Sequence, residues 1–329
     1  MNVSRHAIAA AAMALLAAMT PASAADKVIV GVHPTTVAAV SGVGVAKGYF
    51  TEQGIDFGSI WVNRGAEAIQ ALGAGQADLG IGAVTPVIAA RAKGLPVVIV
   101  GLHSYGFPGY LVTSKKNAHL TRLEDLKGKR IGVPVGSGVH TVLLMAIEKS
   151  GLKTSDFQIQ NARVTDMPAA MQTDGFDAVL GWIPYSTRVV SMGNGKVLMT
   201  PAQFEKLAGV TYPMVLIATE DMIRKRPEAL QRFMNAWVKS MRFVDRDHAE
   251  TLKILRQTLG DRIKGLDDQT LAEILYGYKH DRVALNEADF ADARNMADFM
   301  LAEKNITVKP DIGALIDNSF ARKAESLIK

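Results

Sequence analysis

Residues 128–141 read Gly128-Lys129-Arg130-Ile131-Gly132-Val133-Pro134-Val135-Gly136-Ser137-Gly138-Val139-His140-Thr141, and the reading of this stretch decides the fold. Lys129 to Val133 has the character of a short buried strand, Pro134 to Ser137 that of a loop, and Val139 to Ser150 that of a helix ending before Gly151. Glycines in such a joint let a ligand approach the backbone. The free N–H groups of the first helical turn point at that ligand with the positive end of the helix dipole. Ser137 either caps the helix or bonds a ligand oxygen. Ser137, Gly138, Val139 and His140 are therefore the first candidate binding residues.

Outward from this joint the same plan appears twice. Upstream, Val28 to Val32 is a strand, Pro34-Thr35-Thr36 a loop, and a helical stretch ends at Gly48-Tyr49-Phe50. Residues 55–62 supply a second strand and 65–73 a helix with Ala66, Ile69 and Leu72 on one face. Gly75 and a strand at 78–82 follow, then a helix from Pro86 to Lys93 and a strand at 97–101. Downstream, a helix at 167–173 leads to Gly175-Phe176-Asp177 and a strand ending at Trp182. This echoes Gly75 to Asp78 with the spacing changed by one residue. Such alternation predicts α/β lobes built on mainly parallel sheets with covered faces. Tyr110 to Thr113 and Met214 to Thr219 read as extended crossings between the two lobes. Residues 25–114 with 215–329 are then lobe 1, and 115–214 lobe 2. From Pro227 onward the pattern is helical: Leu230, Phe233, Met234, Trp237, Val238 and Met241 form an apolar stripe. Further helices are expected near 248–259, 268–278, 286–303 and 311–327, packed on lobe 1.

The chain has 329 residues, 37 Lys plus Arg against 32 Asp plus Glu, and no Cys. Disulfides, thiolate zinc sites, iron–sulfur clusters and Cys nucleophiles are thereby excluded. No run of five basic residues appears, so a nucleic-acid partner has no electrostatic footprint. Arg5 and His6 precede an apolar run from Ala7 to Met19, which ends at Thr20-Pro21 and the small-residue site Ala22-Ser23-Ala24. That run is shorter than the roughly 20 residues a membrane span needs. Residues 1–24 read as a cleaved secretory signal. The mature chain is expected to begin near Ala25, to lack the Cys of a lipoprotein, and to be a monomer free in the periplasm.

His33, His103, His119, His140, His248 and His280 fall in no i, i+3 or i, i+4 ligand pair, and no HExxH is present. Neither a nucleophile elbow nor a P-loop occurs, and Gly42-Val43-Gly44 lacks the rest of a dinucleotide fingerprint. Helix capping accounts for Asp267-Asp268. No catalytic residue, metal or cofactor is expected. Three loops bear hydroxyls instead: Pro34-Thr35-Thr36, Ala83-Val84-Thr85-Pro86 and Pro134 to Ser137. They converge at the carboxyl ends of strands, where open α/β sheets bind ligands. Tyr105, Trp182, Tyr185 and Tyr212 lie beside loops rich in Gly or Pro and are expected to line the pocket.

Gly128 to Pro134, Gly136 to His140 with its apolar helix, Gly175 to Ala178 with Trp182-Ile183-Pro184, and Ala66 to Gly82 with Thr85-Pro86 together carry a family resemblance. They resemble the periplasmic substrate-binding proteins of ABC importers for nitrate, sulfonate and taurine, of the NMT1/THI5-like group. The resemblance covers essentially the mature chain. It implies a two-lobed type II periplasmic binding protein fold with two crossover segments, a ligand in the cleft, closure on binding, and delivery to an ABC permease. In taurine-type members an acidic residue near the return crossover holds the ligand's amine; Gly209 to Pro213 has none here. The expected ligand is a small organic anion, a sulfonate above all, held by Ser137, the N–H groups of Gly138 and Val139, and Thr85, with Trp182 and Tyr212 around its organic part. The three loops contain no Arg, although Arg64 and Arg188 lie nearby, and either would shift the preference towards carboxylates. Alternatives are a thiamine-precursor pyrimidine or an aromatic carboxylate. Enzymes on the same scaffold, the pyrimidine-precursor synthases and porphobilinogen deaminase, depend on Cys.

Overall fold

Short apolar runs separated by helices assemble two five-stranded sheets of one plan. The computed structural model describes residues 25–327, so the secretory signal expected at 1–24 lies outside the described residues. In the first sheet β1 (Asp26–Val32) pairs in parallel with β2 (Ile55–Trp61) and β3 (Leu79–Ala83). The return strand β10 (Met214–Thr219) runs antiparallel between β3 and β4 (Val97–Ser104), giving the order β2-β1-β3-β10-β4. The second sheet repeats this as β7-β6-β8-β5-β9. There β6 (Arg130–Val133) is parallel to β7 (Gln158–Asn161) and β8 (Ala178–Trp182). The outgoing strand β5 (Gly109–Ser114) runs antiparallel between β8 and β9 (Gly195–Met199). Each sheet is thus mixed, for a geometric reason. The chain leaves one lobe where its parallel strands end and enters the other at the matching end, so the arriving strand must run against its neighbours.

Two expectations about the crossings are corrected. Residues 110–113 are not a bridge: they hydrogen-bond to β8 and β9, so the first crossing is Tyr105 to Pro108 rather than the chain near 114. Met214 already pairs in the first sheet, which places the return crossing at Gly209 to Pro213. Strands β7 and β9 had no sequence signal because they are edge strands, and Gln158-Ile159-Gln160-Asn161 keeps three exposed polar residues.

The internal repeat has a physical basis in two aspartates. Asp78 takes the N–H of Ile29 at 2.8 Å and donates its own N–H to the Ile29 carbonyl. Asp177 does the same with Arg130, at 3.0 Å in each direction. Each carboxylate therefore seals the residue just before its lobe's strand begins to pair with the next parallel strand, β1 with β3 and β6 with β8. Three residues earlier the chain needs a left-handed turn: Gly75 provides it at φ 67° and Asp174 at φ 55°. The conformational partner of Gly75 is thus Asp174, not Gly175, and the spacing in the two lobes is identical.

The helical C-terminal part covers lobe 1. Helix α8 (Pro227–Arg246) turns its stripe inward, with Trp237, Phe233 and Met234 fully buried, against α1 (Ala39–Ala46). Helices α9 (His248–Leu259), α10 (Asp268–Tyr276) and α11 (Glu287–Ala302) follow the sequence pattern closely. The helix expected over 311–327 is interrupted. Ile316 bridges to Ile99 on the free edge of β4, and α12 begins only afterwards (Ser319–Leu327). An unpaired sheet edge takes a backbone partner in preference to continuing a helix.

Burial alone would raise the Asp177 carboxyl, but hydrogen bonds and charge from Arg130 hold it at about 2, against an ordinary 3.8. A depressed acid contributes stability that is present above its unfolded pKa and lost as pH falls through the folded one. The contribution is about 2 kcal/mol at neutral pH. Urea unfolding of wild type is expected to weaken between pH 4 and 2, with Asp177→Asn flattening that dependence; parallel curves for the two proteins would refute the role.

Candidate functional site

The carboxyl ends of β1, β2 and β3 face those of β6, β7 and β8 across a cleft. Two helices open on its inner part. Helix α4 (Gly138–Lys149) starts behind Ser137, whose hydroxyl accepts the His140 N–H at 3.4 Å. The N–H groups of Gly138 and Val139, in the turn before any intrahelical acceptor, remain for the cleft. Opposite, α2 (Gly65–Gly73) follows Arg64, which provides no side-chain cap, so the N–H groups of Gly65 and Ala66 are left in the same way. Two positive helix ends, one from each lobe, border the same space.

Between them stands Tyr212, in the return crossing. Its φ of 54° and an edge-to-face contact with Phe107 at 5.4 Å aim its ring at the start of α4. Gly138 is required there: a Cβ would sit 2.5 Å from the Tyr212 hydroxyl oxygen. Burial pushes the Tyr212 phenol well above its ordinary pKa, and burial does the same to Tyr278 on the same wall. Both stay protonated. Burial lowers the pKa of His33, whose Nε2 lies 3.0 Å from the Ile81 carbonyl. The neutral ring therefore donates to Ile81. Trp182, Ile183 and Met214 make the remaining wall apolar.

The outer part shares Thr35, Arg64 and Trp182 with the inner part and adds Asn63, Glu67, Arg163 and Tyr185. Glu67 accepts the Asn63 N–H at 2.8 Å and lies 3.5 Å from Arg64 Nε.

Of the residues singled out from sequence, Thr35, Ser137, Gly138, Trp182, Tyr185 and Tyr212 come together around this cleft. The others do not. Thr36 and Thr85 are buried away from it, and Thr85 Oγ1 has no partner among the described residues. In that loop Ala83 and Pro86 face the cleft, while the Val84 N–H is taken by the Pro213 carbonyl at 3.2 Å. The side chain of Val139 is in the core, leaving only its N–H at the helix end. His140 Nδ1 accepts the Gly136 N–H at 3.3 Å and braces the loop from behind. Tyr105 turns outward, its hydroxyl 3.1 Å from Asp281 and its ring under Arg282. Arg64 reaches the cleft, whereas Arg188 borders a neighbouring groove with Asp267 and Glu273. Sequence reading missed His33, Met214 and Tyr278; a polar residue just beyond β1 was the available signal for His33, and Tyr278 had none.

The sequence pattern described as "NMT1/THI5 like" matches residues 37–250. The chain belongs to this family. A Brucella abortus (strain 2308) relative, named only as a candidate binding protein, is 28% identical over 198 residues, and the match spans 59% of each chain. A Schizosaccharomyces pombe (strain 972) relative, 4-amino-5-hydroxymethyl-2-methylpyrimidine phosphate synthase, is 26% identical over 63% of this chain and 62% of its own. Among solved structures, the periplasmic aliphatic sulphonate binding protein SsuA of Escherichia coli aligns with a TM-score of 0.75 at 21% identity, covering 88% of this chain and 97% of that one. The family fold is the two-lobed α/β architecture of periplasmic binding proteins, and this chain has it.

The Gly138–Tyr212 contact is directly testable. Gly138→Ala is expected to cost about 1 to 3 kcal/mol in urea unfolding through overpacking. Tyr212→Leu should relieve more than half of that loss, a coupling of about 1 kcal/mol. An equal cost in both backgrounds would exclude the contact.

Proposed function

We propose that the protein is a periplasmic solute-binding protein that captures a small organic anion, an aliphatic sulfonate in the first place, between its lobes and delivers it to an ABC permease. The observation that carries this reading is the pair of helix N-termini, at Gly65 and Gly138, that border one apolar-walled cleft from opposite lobes. Backbone N–H groups and helix dipoles favour an anion without a fixed counter-charge, and the Trp182, Ile183 and Met214 wall suits an aliphatic body. The sulfonate named for SsuA of Escherichia coli is of this class. Of the two arginines near the loops in sequence, Arg64 borders the site, which by itself would shift the preference towards carboxylates, but Glu67 takes part of its charge. A binding role fits the inner wall better than catalysis does. Burial disfavours charge on His33, Tyr212 and Tyr278, so the inner wall offers neutral hydrogen-bonding groups beside its apolar residues. No helix among the described residues is long and apolar enough to cross a membrane.

Affinity requires both lobes. Four hydrogen bonds to a charged ligand are worth roughly 6 to 12 kcal/mol gross at about 1.5 to 3 each, while micromolar binding needs about 8 net. Competing water must therefore be excluded by closing the cleft. Calorimetry is expected to give micromolar binding of butanesulfonate, weakened about three- to tenfold by Ser137→Ala, and small-angle scattering should show compaction at saturation. Binding of 4-amino-5-hydroxymethyl-2-methylpyrimidine alone, with Ser137→Ala without effect, would overturn the anion assignment.

A further inference from the structure

The outer part of the cleft holds chemistry that a ligand with one acidic group leaves unused. Arg64 follows β2 and Arg163 follows β7, and these are the equivalent edge strands of the two repeated sheets. One arginine from each lobe therefore borders the same outer space at adjoining steps of the repeat, Arg163 corresponding to Asn63. The Arg163 guanidinium is exposed and has no carboxylate within salt-bridge reach among the described residues. Among the described residues, Glu67 is the only carboxylate on this wall. It is already occupied by the Asn63 N–H and side-chain amide, at 2.8 and 3.2 Å, and by Arg64. Two guanidinium groups against one carboxylate leave the outer part net positive. The inner part, joined to it past Trp182, ends at the two helix N-termini.

We propose that the ligand carries an acidic group at each end. The inner group meets the Gly65 and Gly138 helix ends, a short apolar chain passes Trp182, and a second carboxylate or sulfonate lies between Arg64 and Arg163. The proposal rests on the anion reading of the inner cleft and goes further by naming a dianion. Guanidinium groups pair with such oxyanions through two parallel N–H donors, and a pair supplied by opposite lobes ties the second charge to closure.

The test compares butanesulfonate with 4-sulfobutanoate, which differs by a terminal carboxylate, by calorimetry on the full-length mature protein. The dianion is expected to bind at least tenfold tighter at low ionic strength, and this preference should shrink with added salt. Arg163→Gln is expected to bring the ratio of the two dissociation constants close to one, and Arg163→Lys to leave it intermediate. A ratio near one in wild type, or a ratio that Arg163→Gln does not change, overturns the dianion while leaving the anion reading in place. Failure of both compounds to bind overturns both.

Discussion

The grip on Thr211 is the constraint on which the rest of the molecule depends. Its N–H and hydroxyl both donate to the Asp292 carboxylate, at 2.7 and 2.5 Å, and its carbonyl accepts the Gly106 N–H at 2.8 Å. The two crossing segments are thus bonded directly to one another, and the return segment is tied to α11 of lobe 1. The outgoing segment is tied to lobe 2, where Glu205 on α7 (Pro201–Ala208) accepts the Phe107 N–H at 2.6 Å. Backbone polar groups at a crossing have no ladder to join and must find such partners. Burial raises the Asp292 carboxyl, its hydrogen bonds from Thr211 oppose that, and the neighbouring Asp289 adds to the rise. Asp289 is in turn held by both terminal nitrogens of Arg282.

With the crossings so held, β5 and β10 must start at the cleft and run against the parallel strands. The carboxyl ends of both sheets then face each other, and the N-termini of α2 and α4 follow because each helix departs from such an end. Tyr212 links this scaffold to the site. It lies between Thr211 and Pro213 in the clamped segment, and its ring rests on Gly138 at the start of α4. A displacement of the crossing therefore moves the cleft wall. The same residues position the lobes and shape the space between them.

The repeated lobes follow from opposing requirements that each sheet meets in the same way. A parallel strand needs its N–H sealed just before the neighbouring strand reaches it, and Asp78 and Asp177 supply the acceptor in the two lobes, for Ile29 and for Arg130. The cation beside that carboxylate differs: Arg226, from the chain just before α8, at 2.8 Å in lobe 1, and Arg130 of the strand itself in lobe 2. Lobe 1 is in this respect completed by its C-terminal part, whereas lobe 2 is sealed from within.

Much of this was legible in the sequence, since strands, turns and amphipathic helices are set by residues a few positions apart. The helix over 65–73, the Ser137 joint, the Trp237 stripe and the two α/β units depend only on local spacing and on the conformational freedom of Gly and Pro. The site was legible in part: Thr35, Ser137, Gly138, Trp182, Tyr185 and Tyr212 border the cleft as their loops suggested. Thr36, Thr85, Val139, His140 and Tyr105 do not, because which side of a first helical turn or a crossing faces the cleft is decided by the partner it packs against. The Val84 N–H is lost to Pro213, and Tyr105 is drawn to Asp281, through contacts across more than one hundred residues. Arg64 and Arg163 likewise lie far apart in the chain: the pairing of β2 with β1 and of β7 with β6 carries each to the rim of its own lobe, and the crossings bring the two rims to one space. The sequence by itself determined the elements and their repetition; the tertiary structure decided the direction of the crossing strands and the membership of the site, because both depend on hydrogen bonds between segments that local spacing does not relate.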